Sequence, residues 1–484
     1  MGRRFIVLVI LVPLLGVLGL LAGTRLTGLE LPTTDATETG GESTESATTE
    51  VTADGGAASA SARAQDGGAA TAVDAAAPRP RETLRVVGTG WELMVPGILA
   101  NGGTTPSTEG SFGEAGLDLH LKTTRDIDRI EAALAQGGDD DEGAHIAILP
   151  LPAFVASYER LRALEPQVFF VVAWSRGRDA IFGPDTDSLR SPPRRNVVLG
   201  GRPGTSETLT SLFMLRHAGV DLERIRLLSS NSVGKHFIAV DRAINSSAGN
   251  DGSRVLATTA DASQLIPYVA IAPAGFLESD AESVTAWTRA WLAGVTQMQS
   301  DVPGAARTVA EIDGAPEPVA LLRRVGQLEF VDLNHNARLL GLSGRGAVTL
   351  EALFQETWQL WRGVSTLTTP APAAVPLSTG PVISLVLAGQ SPSSSPRVAV
   401  EPNFDTDPIF DRTLRVDEDE LVSELGLLAG VFERSTLEVG FRGSRARAER
   451  IINQTCDRYD LPRSRFRPLR GEGRGARIIL HAAP

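Results

Sequence analysis

The chain has 484 residues, more than one compact domain usually holds, and its charged (21%) and hydrophobic (42%) shares are those of a globular protein. These values exclude a wholly disordered chain and a multi-span membrane protein. A net charge of -12 excludes nucleic acid as a partner, because phosphate contacts need a surplus of Lys and Arg; Cys456 is the single cysteine, which excludes an internal disulfide and a cysteine-rich metal site.

At the N-terminus, Arg3 and Arg4 precede an uncharged run from Phe5 to Thr24 rich in Leu, Val and Ile. At about 1.5 Å per residue the run covers roughly 30 Å, enough to cross a bilayer core. The cationic flank keeps the start in the cytoplasm and exports the rest of the chain. Residues 1–25 are therefore expected to anchor the protein in the inner membrane, with its domains in the periplasm; a cleaved signal peptide is the other reading of the same run. Thr24 stands where a lipoprotein needs its cysteine. Residues 26–82 are expected to be a disordered acidic linker: from Thr33 to Pro78 almost no large apolar side chain occurs, and the carboxylates face only Arg63.

Residues 83–365 read as an α/β domain. Leu84 to Gly88 is a strand that enters a turn at Gly90. Thr124 is placed to cap a helix with Ile127, Ile130 and Leu134 on one face, closed by Gly137 and Gly138. Ile146 to Leu149 is a short buried strand stopped by Pro150, which completes a β-α-β unit. Phe169 to Trp174 and Arg195 to Leu199 are further strands, and the second leads through Gly204-Thr205-Ser206 into a helix carrying Leu209, Leu212 and Phe213. Val255 to Ala257 is one more strand. Late helices carry Val284, Trp287, Trp291 and Val295, then Leu350, Leu353, Phe354 and Trp361, each set on one face. Residues 366–397 are rich in Pro and Ser and read as a linker with one strand, Pro381 to Leu387.

The ordered series of Gly88-Thr89-Gly90-Trp91, Ile146 to Pro150, Gly204-Thr205-Ser206 and Leu256-Ala257-Thr258-Thr259-Ala260-Asp261 resembles the periplasmic solute-binding proteins of the nitrate, sulfonate and taurine type. The resemblance implies a two-lobed, type II periplasmic-binding-protein-like fold. It also implies that a small polar solute (a sulfonate, nitrate, an amino acid or a pyrimidine-like compound) is captured in the cleft and passed to an ABC permease. No catalytic step and no cofactor are implied. One lobe would be Thr83 to about Val172 with about Gln264 to Val364, and the other would lie between them.

The residues themselves supply candidates for the ligand site. At Gly204, Thr205 and Ser206 a glycine-rich turn becomes a helix, so free N–H groups and hydroxyls converge; Thr205 either contacts the solute or caps its own helix. Glu207 in the first turn would repel an anion, which leaves the charge of the solute open. Thr89 and Trp91 lie at the first strand end, where open sheets hold ligands, and Trp91 is an aromatic wall or a packing residue. Trp174, Arg176 and Arg178 lie where a strand would cross between lobes, Arg176 as an anion clamp or a solvated hinge. Thr258, Thr259 and Asp261 complete a binding ring or cap the next helix. The acidic loop Asp139 to Glu142 lacks EF-hand spacing, and no Walker loop or Gly-x-Ser-x-Gly elbow occurs.

Residues 398–484 divide into an acidic half, Glu401 to Glu433, and a basic half, Arg434 to Arg477. Leu437-Glu438-Val439-Gly440, Ser444 to Ile451, Leu461 to Arg465 and Ala476 to Leu480 resemble the OmpA-like peptidoglycan-binding domain, a small α+β unit. In that family an aspartate after the Val-x-Gly strand and the arginine of Ser-x-x-Arg-Ala hold wall diaminopimelate. Arg447 falls on the arginine, while Arg442 stands near the aspartate position. The resemblance thus implies either a peptidoglycan contact or a retained fold used for packing. The leading reading of the chain is an envelope solute-binding protein; the alternative is an envelope sensor or scaffold whose binding-protein fold has lost its ligand.

Overall fold

A computed structural model describes residues 82–229, 234–244, 252–344, 346–389, 401–471 and 474–483. The expected anchor and most of the acidic linker lie outside the described residues. Among the described residues no helix is long and apolar enough to cross a membrane.

The chain is mixed α/β. It begins with β1 (Glu82–Thr89), α1 (Trp91–Asn101), α2 (Ser111–Glu114), β2 (Leu117–Thr124), α3 (Ile127–Gln136), β3 (Ile146–Pro150), α4 (Leu151–Leu161) and β4 (Pro166–Ser175). Asp126, rather than Thr124, caps α3: its carboxylate accepts from the Asp128 N–H, and Thr124 instead accepts from the Asp126 N–H. A second group comes next, β5 (Asp179–Gly183), β6 (Val197–Gly200), α5 (Ser206–His217), β7 (Ile225–Leu228), β8 (Phe237–Asp241) and β9 (Arg254–Thr258).

The chain then returns to the first sheet with β10 (Pro267–Pro273) and continues through α6 (Ala274–Ser279), α7 (Ala281–Ser300), α8 (Val302–Ala310), α9 (Pro318–Val325), β11 (Leu328–Phe330), α10 (Leu333–Leu339) and α11 (Leu350–Gly363). The strand order is β11-β4-β10-β3-β1-β2 in the first sheet and β7-β6-β8-β5-β9 in the second. Leaving aside the edge strand β11, both sheets share one plan. A first strand (β1 or β6) runs parallel to both neighbours, and an antiparallel strand (β10 or β5) lies beyond the third. Strands β3 and β4 are apolar and buried along their length because helices cover both faces.

Helix α7 stacks Trp287 on Trp291, 5.1 Å apart, with Trp287 against Phe169 and Phe170 of β4 and Trp291 beside Gly97 of α1. The approach is close enough to require glycine: a Cβ at Gly294 would stand 2.1 Å from the Pro96 carbonyl oxygen. Helix α11 sets Phe354 and Trp358 against Tyr158 of α4.

Pro381 to Leu387, expected from the sequence to be a strand, belongs to a helix, α12 (Gly380–Leu387). Proline at the first turn is compatible with a helix start, and Val382 and Leu385, three residues apart, bury on one face while Leu387 is exposed.

The C-terminal residues form β12 (Pro408–Leu414), α13 (Glu418–Val431), β13 (Thr436–Arg442), α14 (Arg445–Tyr459), β14 (Phe466–Gly471) and β15 (Ala476–His481). Their sheet has the order β12-β15-β13-β14, parallel only between β13 and β14. Phe432 and Phe410 meet Phe213 and His217 of α5, so the core continues from the second sheet into this unit.

Candidate functional site

The chain passes between the first two sheets twice, at 176–178 and at 259–266. Polar groups from both sheets gather at these crossings. Thr89 ends β1, where its hydroxyl donates to the Ile148 carbonyl at 2.8 Å. Gly90, at φ 80, then turns the chain into α1. That turn buries Glu92 completely in the first turn of α1, where the helix dipole favours a carboxylate. Arg125 and Arg178 donate to Glu92 Oε1 at 2.8 and 2.9 Å. Arg178 also reaches Asp241 at the end of β8, with Nη2 2.9 Å from Oδ2, and its guanidinium lies 5.8 Å from the centre of the Tyr268 ring. One arginine thereby links α1 of the first sheet to β8 of the second.

A hydroxyl network lies beside this bridge. Ser175 donates to Asp179 Oδ2 at 2.5 Å and meets the Thr259 hydroxyl at 2.8 Å, while Thr259 accepts from the Asp179 N–H at 3.2 Å. Asp179 is 1% exposed, and its Oδ1 has no hydrogen-bond partner. Burial first, then the charge of Asp241, pushes its carboxyl up to about 8, so it carries a proton at neutral pH. Burial also raises the half-buried Glu207 carboxyl, and Asp241 adds to the rise. Tyr268 is pushed well above the ordinary phenol value, foremost by burial and then by the neighbouring carboxylates, with Arg178 opposing.

At the start of α5 the Thr205 hydroxyl donates to the Arg202 carbonyl at 3.1 Å and meets the Thr208 hydroxyl at 2.9 Å, and its side chain does not cap the helix. Gly204, at φ 80, makes the turn before it. Ser206 is buried. Thr205 and Ser206 immediately precede Glu207. Thr258 and Asp261 close a local turn, in which Asp261 Oδ2 accepts from the Thr258 N–H at 2.9 Å and from its hydroxyl at 3.2 Å.

Among the other sequence candidates, Trp91 is half-buried against the core, Trp174 is 2% exposed with an unpartnered indole N–H, and Arg176 is ion-paired with Glu329 of β11. Glu92, Arg125, Asp179, Asp241 and Tyr268 were not legible as a group. The Arg178 partners are 86 and 63 residues away in sequence, so no local spacing marks them.

Elsewhere, a cavity of about 460 Å³ opens near the start of β1, lined by Leu84, Asp139, His145, Phe276 and Asp280. In the C-terminal unit the Arg447 Nε lies 2.8 Å from Glu418 Oε1, and its guanidinium covers the Phe441 ring at 4.4 Å.

No family model matches the chain, and no curated protein matches it. Solved structures do. The chain is similar to the periplasmic aliphatic sulphonate binding protein SsuA from Escherichia coli, at 14% identity and TM-score 0.41 over 60% of this chain and 89% of that one. It is similar to the periplasmic nitrate-binding protein NrtA from Synechocystis PCC 6803, at 12% identity and TM-score 0.42 over 63% and 86%. It is also similar to the desulfurization enzyme DSZB, at 12% identity and TM-score 0.40 over 64% and 100%.

Proposed function

We propose that residues 83–365 form a solute-binding unit of the cell envelope that captures a small polar compound between two α/β lobes and hands it to an ABC importer. The observation that carries this reading is the convergence at the crossings of Glu92 from one sheet, Asp241 and Glu207 from the other, and Arg178, Asp179 and Thr259 from the crossing segments. The shared strand plan of the two sheets supports two lobes. Binding would act by shifting an open and closed population through differential affinity, with no covalent step.

A thermal-shift screen of sulfonates, nitrate, amino acids, pyrimidines and amines tests the reading. A true ligand at a hundred times its dissociation constant adds about 2.7 kcal/mol to stability. The Glu92–Arg178–Asp241 bridge favours a second reading, a scaffold held closed by its own charges, and that reading expects no compound to shift melting.

The same proposal keeps 1–25 as an inner-membrane anchor, 26–82 as a tether, 366–397 as a connection that includes α12, and 398–484 as an OmpA-like unit. The strand order β12-β15-β13-β14, with its two helices, supports the last. Fractionation with N-terminal sequencing tests the anchor: a soluble form starting after Gly23 would overturn it.

A further inference from the structure

We propose that the compound taken at the crossings is a cation, a primary amine or guanidinium, held by Asp179, Glu207 and Asp241. This rests on the binding reading above and narrows it to one ligand charge.

The arginines around the crossings are already engaged. Arg125 and Arg178 donate to Glu92, Arg178 also to Asp241, and Arg176 pairs with Glu329. Arg242 donates to the Gly177 carbonyl at 3.1 Å, and Arg202 stands exposed before α5. Arg178 and Arg202 act on Asp179 and Glu207 through their charge, but the guanidinium of Arg178 is spent on Glu92 and Asp241, and that of Arg202 stands exposed. The hydrogen-bond partners of Asp179 are a hydroxyl and its own surroundings, and Oδ1 is left buried with no partner. A buried acceptor without a donor is costly, and a donor that is also a cation relieves both the missing bond and the crowding of Asp179, Glu207 and Asp241. The carboxyls of Asp179 and Glu207 are raised foremost by burial, and the charge of Asp241 adds to both, which a cation placed among them would offset. A sulfonate or nitrate would bring its charge beside that of Asp241 and would offer no donor to Asp179 Oδ1.

Calorimetry on the full-length protein tests this with agmatine, putrescine and arginine against methanesulfonate and nitrate. At least one amine should bind. D179N and E207Q should each weaken that binding by about tenfold or more, as for the loss of one charge-assisted hydrogen bond. Both variants should melt at or above the temperature of the unmodified protein, which separates lost binding from lost folding. Binding of methanesulfonate or nitrate without the amines would overturn the charge assignment and leave the binding reading standing. Amine binding untouched by both substitutions would overturn the assigned residues. Silence of these probes and of the wider screen would take down the binding reading itself, and this inference with it.

Discussion

The His217 imidazole at the end of α5 sets its Nδ1 2.9 Å from Glu424 Oε1 of α13, tying the second sheet to the C-terminal unit inside a buried contact. Arg412 pairs with the same carboxylate, and Arg216 of α5 pairs with Glu356 of α11 at 2.6 Å. Burial tends to raise the Glu424 carboxyl, but the His217 N–H, Arg412 and Arg216 outweigh it and hold the group well below the usual carboxylate range. Nδ1 of His217 therefore carries the proton and donates. Its Nε2 has no partner, so a second proton there would be buried without a hydrogen bond, and burial, with Arg412 adding to it, lowers the imidazole below its ordinary value although Glu424 opposes the shift.

This sets a pH dependence. The unfolded chain takes up a proton at His217 near pH 6.5 while the folded protein resists it, so stability is present above pH 6.5 and falls as the pH drops below it. Between pH 7.5 and 5.5 the loss through this one group should be no more than about 1.4 kcal/mol. His120 and His145 are also lowered, chiefly by burial, and add to the total. Urea titrations of the unmodified protein and of H217N at both pH values isolate the part that belongs to His217. Equal losses in the two proteins would show that this imidazole is not the group responsible.

A carboxyl held protonated at neutral pH is a standing cost. The unfolded Asp179 ionises near pH 4, whereas the folded one keeps its proton to about 8, so stability falls as the pH rises through that window. Asn copies the shape of the protonated group. D179N should therefore stabilise the protein at pH 7.5 by about 1–3 kcal/mol and by less at pH 5, read as the shift in urea midpoint. A destabilised variant at both pH values would mean that the Ser175 and Thr259 hydroxyls need the carboxylate itself.

Arg178 should be the most sensitive single position at the crossings. Replacing it by Met keeps the volume but leaves the Glu92 and Asp241 carboxylates facing each other with only Arg125 nearby. Breaking a buried pair in this way costs about 3–5 kcal/mol. Chemical denaturation of R178M checks it, and a loss below about 1 kcal/mol would show that water reaches the bridge.

These three sites also mark how far the sequence could be read. Periodicity located α7 and α11 through Trp287, Trp291, Phe354 and Trp361, and the apolar runs located β3 and β4, because burial of a face writes itself into local spacing. Strands β5 and β8 are five residues long, as β3 is, but each carries an aspartate at one end and lacks a closing proline such as Pro150, so nothing sets them apart from the surrounding loops. Thr205 and Ser206 were legible as a helix start, but whether a hydroxyl at such a start caps the helix or turns to a neighbour such as Thr208 depends on the loop before it. The Glu92–Arg178–Asp241 bridge has no local signature, since each member comes from a different element and folding alone brings them together. Trp174 and Arg176 lie close together at the crossing, yet one is buried and the other is spent on Glu329.

In the C-terminal unit, Arg447 is held rather than presented. Ser444 caps α14 by accepting from the Arg447 N–H at 3.2 Å, which fixes the backbone, and the side chain lies between Glu418 and the Phe441 ring. Glu418 is the carboxylate best placed to meet an ammonium, but Arg450 shares it at 3.3 Å, so its charge is already matched. A diaminopimelate group needs a carboxylate for its ammonium as well as a cation for its carboxylate, and an unmatched ammonium would lose hydration without return. The protein should therefore sediment with purified sacculi only weakly, through attraction of its arginines to wall carboxylates that fades between low and physiological salt as screening shortens to about 8 Å. R447A should leave that weak association intact and change stability by no more than about 1 kcal/mol, since the pair it removes is half exposed. Tight sedimentation that survives high salt and disappears in R447A would show that Arg447 leaves Glu418 to hold the wall.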